Sequence, residues 1–283
     1  MEPGRIHCLP PPPCTDDNGT MTRRHATAPD DFGGVRSGDQ RPADYRAAVP
    51  AFAALDLGTN NCRMLVGTPL GDGFRVIDSY SRIVRLGEGL HDSGALCPTA
   101  MDRAVAALQD CAHRLARSRP RKVRAIATEA CRRAHNGIEF LHRVKRETGL
   151  EVGVISSREE AELALESCTP LLSGAGRRAL LFDIGGGSTE LAWVRVGCGP
   201  PSLIGYASLP IGVVSLAERF GPAAFTEDGF DAMVDDVTER LVAFERVHCI
   251  SREIRDGGVR LLGTSGTVTT LASVVLNLER YRR

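Results

Sequence analysis

Asp183-Ile184-Gly185-Gly186-Gly187-Ser188-Thr189-Glu190 closes a short apolar run, residues 179–184, and its reading decides the fold. An apolar run of that length ending in glycine is a buried strand running into a turn. Three successive glycines carry a large backbone entropy cost. As a bare turn they are expensive. As a nest of backbone N–H groups they can surround phosphate oxygens, with Ser188 and Thr189 adding hydroxyl donors. No lysine follows, so the segment is not a G-x-x-x-x-G-K-[ST] loop. Residues 189–196 alternate as a strand, whereas a dinucleotide fingerprint would open a helix.

A second loop of this kind lies 127 residues earlier. Asp56-Leu57-Gly58-Thr59-Asn60 ends the apolar run 51–57. By itself it reads equally well as an ordinary β-turn. The two loops, however, head matching series of elements. After the first, the pattern predicts strands at 63–68 and 74–84 and a helix at 99–117 with the stripe Met101, Val105, Leu108 and Leu115. A strand at 123–127, a helix at 137–148, a strand at 152–155 and a helix at 159–172 follow. After the second come strands at 189–196 and 202–209, helices at 213–220 and 230–244, a strand ending near Gly263, and a helix at 268–278. Repeated order at similar spacing reads as duplication. It predicts two α/β lobes facing each other across a ligand-sized cleft.

The expected boundaries are a disordered extension at 1–50, a first lobe at 51–174 and a second at 175–283. The extension holds eight of the chain's 16 prolines and almost no apolar periodicity. The second lobe stops one strand and one helix short of the first. Its sheet is therefore expected to keep an uncovered edge and face, open to pairing or aggregation.

Composition removes several classes of function. The 35 basic side chains equal the 35 acidic ones, so no global field points to nucleic acid or a membrane surface. An anionic ligand must be held by local geometry. No apolar run has the length of a membrane span. Pro10 to Pro13 interrupt what a secretory signal would need as its apolar core. Nine scattered cysteines without a C-x-x-C pair read as reduced thiols in a cytoplasmic protein. The seven histidines form no metal-binding group.

The loops, taken with three further segments, resemble one family in particular. These are Ala54-Leu55-Asp56-Leu57-Gly58-Thr59-Asn60, Ala127-Thr128-Glu129-Ala130-Cys131-Arg132-Arg133-Ala134, Glu159-Glu160-Ala161, Asp183 to Glu190, and Gly263-Thr264-Ser265-Gly266-Thr267. In this order they are similar to the exopolyphosphatase and guanosine pentaphosphate phosphohydrolase (Ppx/GppA) family of the actin, Hsp70 and sugar-kinase superfamily. The resemblance implies duplicated ribonuclease-H-like lobes of the actin-like ATPase type. It also implies Mg²⁺-dependent release of terminal phosphate from polyphosphate or guanosine pentaphosphate, the nucleotide of the stringent response. Glu160 then matches the glutamate that activates water, and Asp183 and Glu190 match the metal-linked acids. Asp56, Gly58, Thr59, Asn60, Arg132, Gly185, Gly186, Gly187 and Ser188 match phosphate-holding positions. Gly263, Thr264, Ser265, Gly266 and Thr267 match a nucleotide- or substrate-contacting loop. Ser157 stands where the family has glycine, which bears on the local turn more than on the chemistry.

Several of these residues also have a plainly structural reading. Ser157-x-x-Glu160 fits a capping box, which would make Glu160 a helix-start partner. Arg132 could be a solvated surface arginine, and Glu190 a solvent-facing strand carboxylate. Glu129 and Arg133 read as structural. Two other functions share the cleft: an actin-like ATPase or small-molecule kinase, and a non-catalytic polyphosphate or nucleotide binder. A homodimer is left open.

Overall fold

The computed structural model describes residues 49–278 apart from 72, 173–175 and 198. The expected extension, save for Val49 and Pro50, lies outside these residues. So do Asp72 of the predicted Gly71–Gly73 turn and most of the glycine-rich stretch after residue 172.

In the first lobe, β1 (Phe52–Leu57), β2 (Asn61–Leu70) and β3 (Gly73–Ile83) form an antiparallel meander. Then come α1 (Leu90–Ser93), α2 (Pro98–Ser118), β4 (Lys122–Ala127), α3 (Glu129–Arg133), α4 (Gly137–Thr148) and β5 (Gly153–Val154). The sheet order is β3-β2-β1-β4-β5, with β4 parallel to both β1 and β5. The chain continues through α5 (Ser157–Cys168) into β6 (Arg178–Ile184), β7 (Thr189–Arg195) and β8 (Ser202–Leu209). After these lie α6 (Val213–Phe220), α7 (Glu227–His248), α8 (Ile250–Arg255), β9 (Val259–Thr264) and α9 (Ser265–Val275). The second sheet runs β8-β7-β6-β9, the same arrangement without a fifth strand among the described residues.

The duplication holds to the single residue. Asp56 pairs with Arg63 across β1 and β2, and Asp183 pairs with Glu190 across β6 and β7. Even the turns agree: the Gly58 amide donates to the Asn61 carbonyl and the Gly185 amide to the Ser188 carbonyl, both at 2.9 Å. This repeated four-residue turn gives each lobe one loop opening onto the cleft.

Packing follows the alternation of the strands. In the first lobe Leu55, Leu57, Cys62, Met64, Val66 and Ala127 point to one side, where α2 and α4 cover them. Helix α2 reaches that face through small residues, Ala104 and Ala107, beside the expected Val105, Leu108 and Leu115. It starts with Pro98 at its first position, where no N–H is needed. Gly149 ends α4 at a φ of 72°, which only glycine adopts freely.

The second sheet is covered on both sides over β6 and β7. Ala179, Leu181, Ala192 and Val194 pack under Ala161, Leu165 and Cys168 of α5. Leu191, Trp193 and Leu209 pack against Phe244 of α7 and Ile250 of α8. Helix α5 was expected in the first lobe; its apolar face places it on the second. The second sheet nevertheless keeps the uncovered edge expected of it: Leu261 on β9 is 59% exposed, with no strand beyond β9 among the described residues. A second bare patch was not expected. It lies on the first sheet, where Phe52, Ala54 and Leu65 are exposed. These three face the same way as Ala179, Leu181 and Ala192, which α5 buries.

Some elements escape sequence periodicity. α1, α3 and α8 are each too short to show a helical stripe. The expected helix at 230–244 starts earlier, because the Thr226 hydroxyl accepts the Gly229 amide at 3.1 Å and caps it there, and it runs on to His248. Cys62, Cys97, Cys111, Cys131 and Cys168 are free thiols as expected, whereas Cys249 is disulfide-bonded.

Candidate active site in the cleft

Both glycine loops sit at the carboxyl ends of their central strands, so the two lobes bring them face to face. They touch. A Cβ on Gly187 would lie 2.9 Å from Thr59 Cγ2, and one on Gly186 would lie 3.0 Å from Asn60 Cβ. Glycine is required here by close approach rather than by an unusual φ. The loops are fixed from behind. The Thr59 carbonyl accepts the Gly87 amide at 2.9 Å, and the Gly186 carbonyl accepts the Val214 amide at 2.8 Å. Thr189 spends its hydroxyl on the Ile211 carbonyl at 2.8 Å, so it braces the loop and is not a free donor.

Between the lobes lies a cleft of about 690 Å³. Asp56, Gly58, Thr59, Asn60, Asp183, Gly185, Gly186, Ser188, Glu190 and Glu160 line it, as do Ser265, Gly266 and Thr267. The structure therefore collects nearly every expected site residue in one place. Gly187, Gly263 and Thr264 support the lining from outside it. The Thr264 hydroxyl donates to Asp183 Oδ2 at 3.1 Å, tying β9 to the acid on β6.

Glu160 is the acid whose placement settles an ambiguity. Ser156, not Ser157, caps α5, and its hydroxyl accepts the Glu159 amide at 3.1 Å. The cap is thus shifted by one residue and is no capping box, because the Glu159 side chain turns outward to an ion pair with Arg124. Glu160 is left facing the cleft. Burial, helped by the charges of Glu190 and Asp56, pushes its carboxyl up to about 8 in spite of Arg132. Burial also raises Asp56, with Asp183 adding to the effect and Arg63 opposing it. Glu190 is raised by burial and by Asp183, while hydrogen bonds from Ser188 and Ser208 pull it back. Four carboxylates converge on one low-dielectric cleft, and like charge makes Asp56, Glu160 and Glu190 harder to ionise.

Arg132 is placed differently from expectation. It does not line the cleft. Its guanidinium stands behind Glu160, donating to the Ile155 carbonyl at 2.8 Å, to Glu129 at 2.6 and 3.1 Å, and to Glu160 Oε2 at 3.3 Å.

Two cleft residues were missed in the sequence. Arg63 lines the cleft, its Nε is buried without a hydrogen-bond partner, and Nη2 reaches the Gly266 turn, where an added Cβ would lie 3.1 Å away. Its signal was available, because it follows Asp56 by seven residues as Glu190 follows Asp183. Gly212 is the other. A Cβ there would lie 2.5 Å from the Gly186 carbonyl carbon, so it is the floor under the triple-glycine loop. No sequence pattern marks it.

Two duplicated α/β lobes with paired glycine loops and convergent acids in the cleft between them define the class of fold to which the protein belongs. Comparison with known proteins narrows this. The Ppx/GppA phosphatase family matches residues 68–279, and the chain belongs to that family. Among solved structures it is similar to an exopolyphosphatase-like protein at 30% identity and a TM-score of 0.72, over 82% of this chain and 71% of that one. A Ppx/GppA family member of Aquifex aeolicus is 29% identical with a TM-score of 0.64, over 82% and 72% of the two chains. An exopolyphosphatase from Cytophaga hutchinsonii is 26% identical with a TM-score of 0.71, over 82% and 72%. The membership and these neighbours support a phosphatase function. No helix among the described residues is long and apolar enough to cross a membrane.

Proposed function

We propose that the protein hydrolyses the terminal phosphoanhydride of inorganic polyphosphate or guanosine pentaphosphate, with Glu160 as the base that deprotonates water. The observation that carries this reading is Glu160 itself: a half-buried carboxyl, freed from capping and pushed up to about 8, lining the same cleft as the two glycine loops. A base works best with a pKa near the working pH, and an ordinary exposed glutamate would be far weaker. The amides of Thr59, Asn60, Gly186 and Gly187, within the two turns, together with the Ser188 hydroxyl and Arg63, would surround the phosphoryl oxygens. Phosphoryl transfer needs chiefly such positioning and charge stabilisation.

Mg²⁺ fits this donor set. Asp183 and Glu190 are directly paired on adjacent strands, so both carboxylates leave the same face of the sheet. Among the described residues no cluster of three or more His, Cys, Asp or Glu is placed to hold a metal alone. Mg²⁺ does not require one, since it commonly takes one or two carboxylates and completes its shell with water and phosphate. When bound, the cation would neutralise phosphate charge and offset the repulsion among Asp56, Asp183 and Glu190.

The test is phosphate release from long-chain polyphosphate, guanosine pentaphosphate and ATP, with Mg²⁺ and with EDTA. Release from the first or second, lost in EDTA and lost in Glu160→Gln, is the expected result. Phosphate release from ATP alone, or transfer to a small-molecule acceptor, would replace this reading with the ATPase or kinase one. Tight binding without turnover would make the protein a polyphosphate sensor.

A further inference from the structure

Glu129 is a buried carboxylate that the reaction above does not use. Its side chain is 11% exposed, and it opens α3, a helix of one turn. Through Oε2 it accepts two hydrogen bonds from Arg132, from Nη2 at 2.6 Å and from Nε at 3.1 Å. The remaining Arg132 donors serve the Ile155 carbonyl, at the junction of β5 and α5, and Glu160. Arg133 approaches Glu129 Oε1 more loosely, at 3.8 Å.

This arrangement is a poor device for stability. Two carboxylates share one guanidinium in a partly dry wall, with Arg132 23% and Glu160 24% exposed. The trio carries an excess negative charge, and a buried ion pair recovers its desolvation cost only with good pairing. What it does well is geometric. Glu129 takes the short bonds on the Nε–Nη2 edge of the fork, leaving Glu160 two longer contacts of 3.3 Å. A guanidinium released from Glu129 would be free to close on Glu160 as a bidentate pair.

We propose that Glu129 is a positioning residue: it holds Arg132 back, so that Arg132 fixes the direction of Glu160 without capturing its carboxylate. The consequence for turnover rests on Glu160 being the base; the placement of Arg132 does not. The strut crosses from the start of α3 to the start of α5. It therefore joins the wall of the first lobe to the helix that covers the second sheet.

Two measurements on Glu129→Gln test this. In steady-state kinetics kcat should fall by at least about tenfold with KM within about twofold, because the group lost acts on the base and not on the bound phosphate. Glu129→Asp, which keeps the charge, should recover part of kcat. A crystal structure of Glu129→Gln should show Arg132 turned away from position 129 and paired side-on with Glu160, one nitrogen to each carboxylate oxygen, in place of the two 3.3 Å contacts to Oε2. An unchanged kcat, or a loss of kcat explained by melting near the assay temperature, would overturn the proposal. If the parent hydrolyses none of the substrates, the function proposed above has failed. The crystal structure still decides the positioning: Arg132 moved supports it, and Arg132 unmoved overturns it.

Discussion

Arg63 in the first lobe stands where Glu190 stands in the second. Each lies opposite the aspartate of its own lobe, Asp56 or Asp183, in the same strand pairing. The duplication thus built one frame twice and filled it with opposite charge. One half presents a cation to the cleft, and the other presents a pair of acids suited to binding one. Removing a carboxylate from that pair should weaken a hard cation directly. Asp183→Asn is expected to raise the Mg²⁺ concentration for half-maximal phosphate release by at least about tenfold, equivalent to ~1.4 kcal/mol of binding. A Mg²⁺ titration of parent and variant reads this, and coincident curves would remove Asp183 from the metal site.

Glu160→Gln keeps the shape and most hydrogen bonding of the side chain but cannot take a proton from water. Hydrolysis should fall by roughly 10²-fold or more, while polyphosphate binding is retained in an equilibrium assay. Turnover at the parent rate would show that another group is the base.

The same substitution should be visible in stability, with no substrate present. Glu160 titrates from 4.5 in an ordinary environment to about 8 in the folded protein. Between those values the folded protein keeps a proton that the unfolded chain has released, so parent stability falls as pH rises through the window. Glutamine does not titrate. The variant should therefore melt higher than the parent above pH 8, by at least about 2 °C, and the advantage should shrink as pH approaches 4. Melting curves from pH 4 to 9 in EDTA measure it. A constant difference across that range would mean that the carboxyl is not buried as described.

Much of this site could be read from the sequence because duplication repeats local signals. The turns at Gly58 and Gly185 are short-range structures, and each carries its own glycine and hydroxyl pattern. The roles of Glu160, Arg132 and Gly212 were less legible because they depend on contacts distant in the chain. A one-residue shift of the α5 cap decides whether Glu160 is structural, and S-x-x-E matches Ser156-Glu159 as well as Ser157-Glu160. Arg132 reads as a phosphate ligand until Ile155 and Glu129 are seen to occupy its donors. The lobe to which α5 belongs is equally invisible to periodicity, which reports that a helix has an apolar face but not which sheet lies under it.

Gly212 gives a test of how rigid the loop floor must be. Its added Cβ would meet backbone atoms, the Gly186 carbonyl carbon at 2.5 Å and the Gly185 oxygen at 2.6 Å, and no side-chain rotation relieves that. Gly212→Ala should cost about 1–3 kcal/mol, as overpacking does, and should raise KM by displacing the triple-glycine loop. Denaturant melts together with KM values check both parts. A normal KM in a destabilised variant would show that the loop holds substrate without its floor.

The two sheets give a matched comparison, because their equivalent faces have different covers. Leu181 is 2% exposed beneath α5, whereas Leu65, on the corresponding face of the first sheet, is 36% exposed. Leu181→Ser removes a packed side chain and leaves a hydroxyl in an apolar space beneath Leu165 and Cys168. A loss of about 3–5 kcal/mol is expected from the cavity and the buried polar group together. Leu65→Ser places the same hydroxyl where water can reach it, so its cost should stay near 1 kcal/mol or below. Urea melts of the two variants beside the parent read the difference. Equal, large losses would mean that the Leu65 face is covered in solution, by a second copy or by residues outside those described. Equal, small losses would mean that α5 does not pack on the second sheet, and the crossing helix would have to be withdrawn.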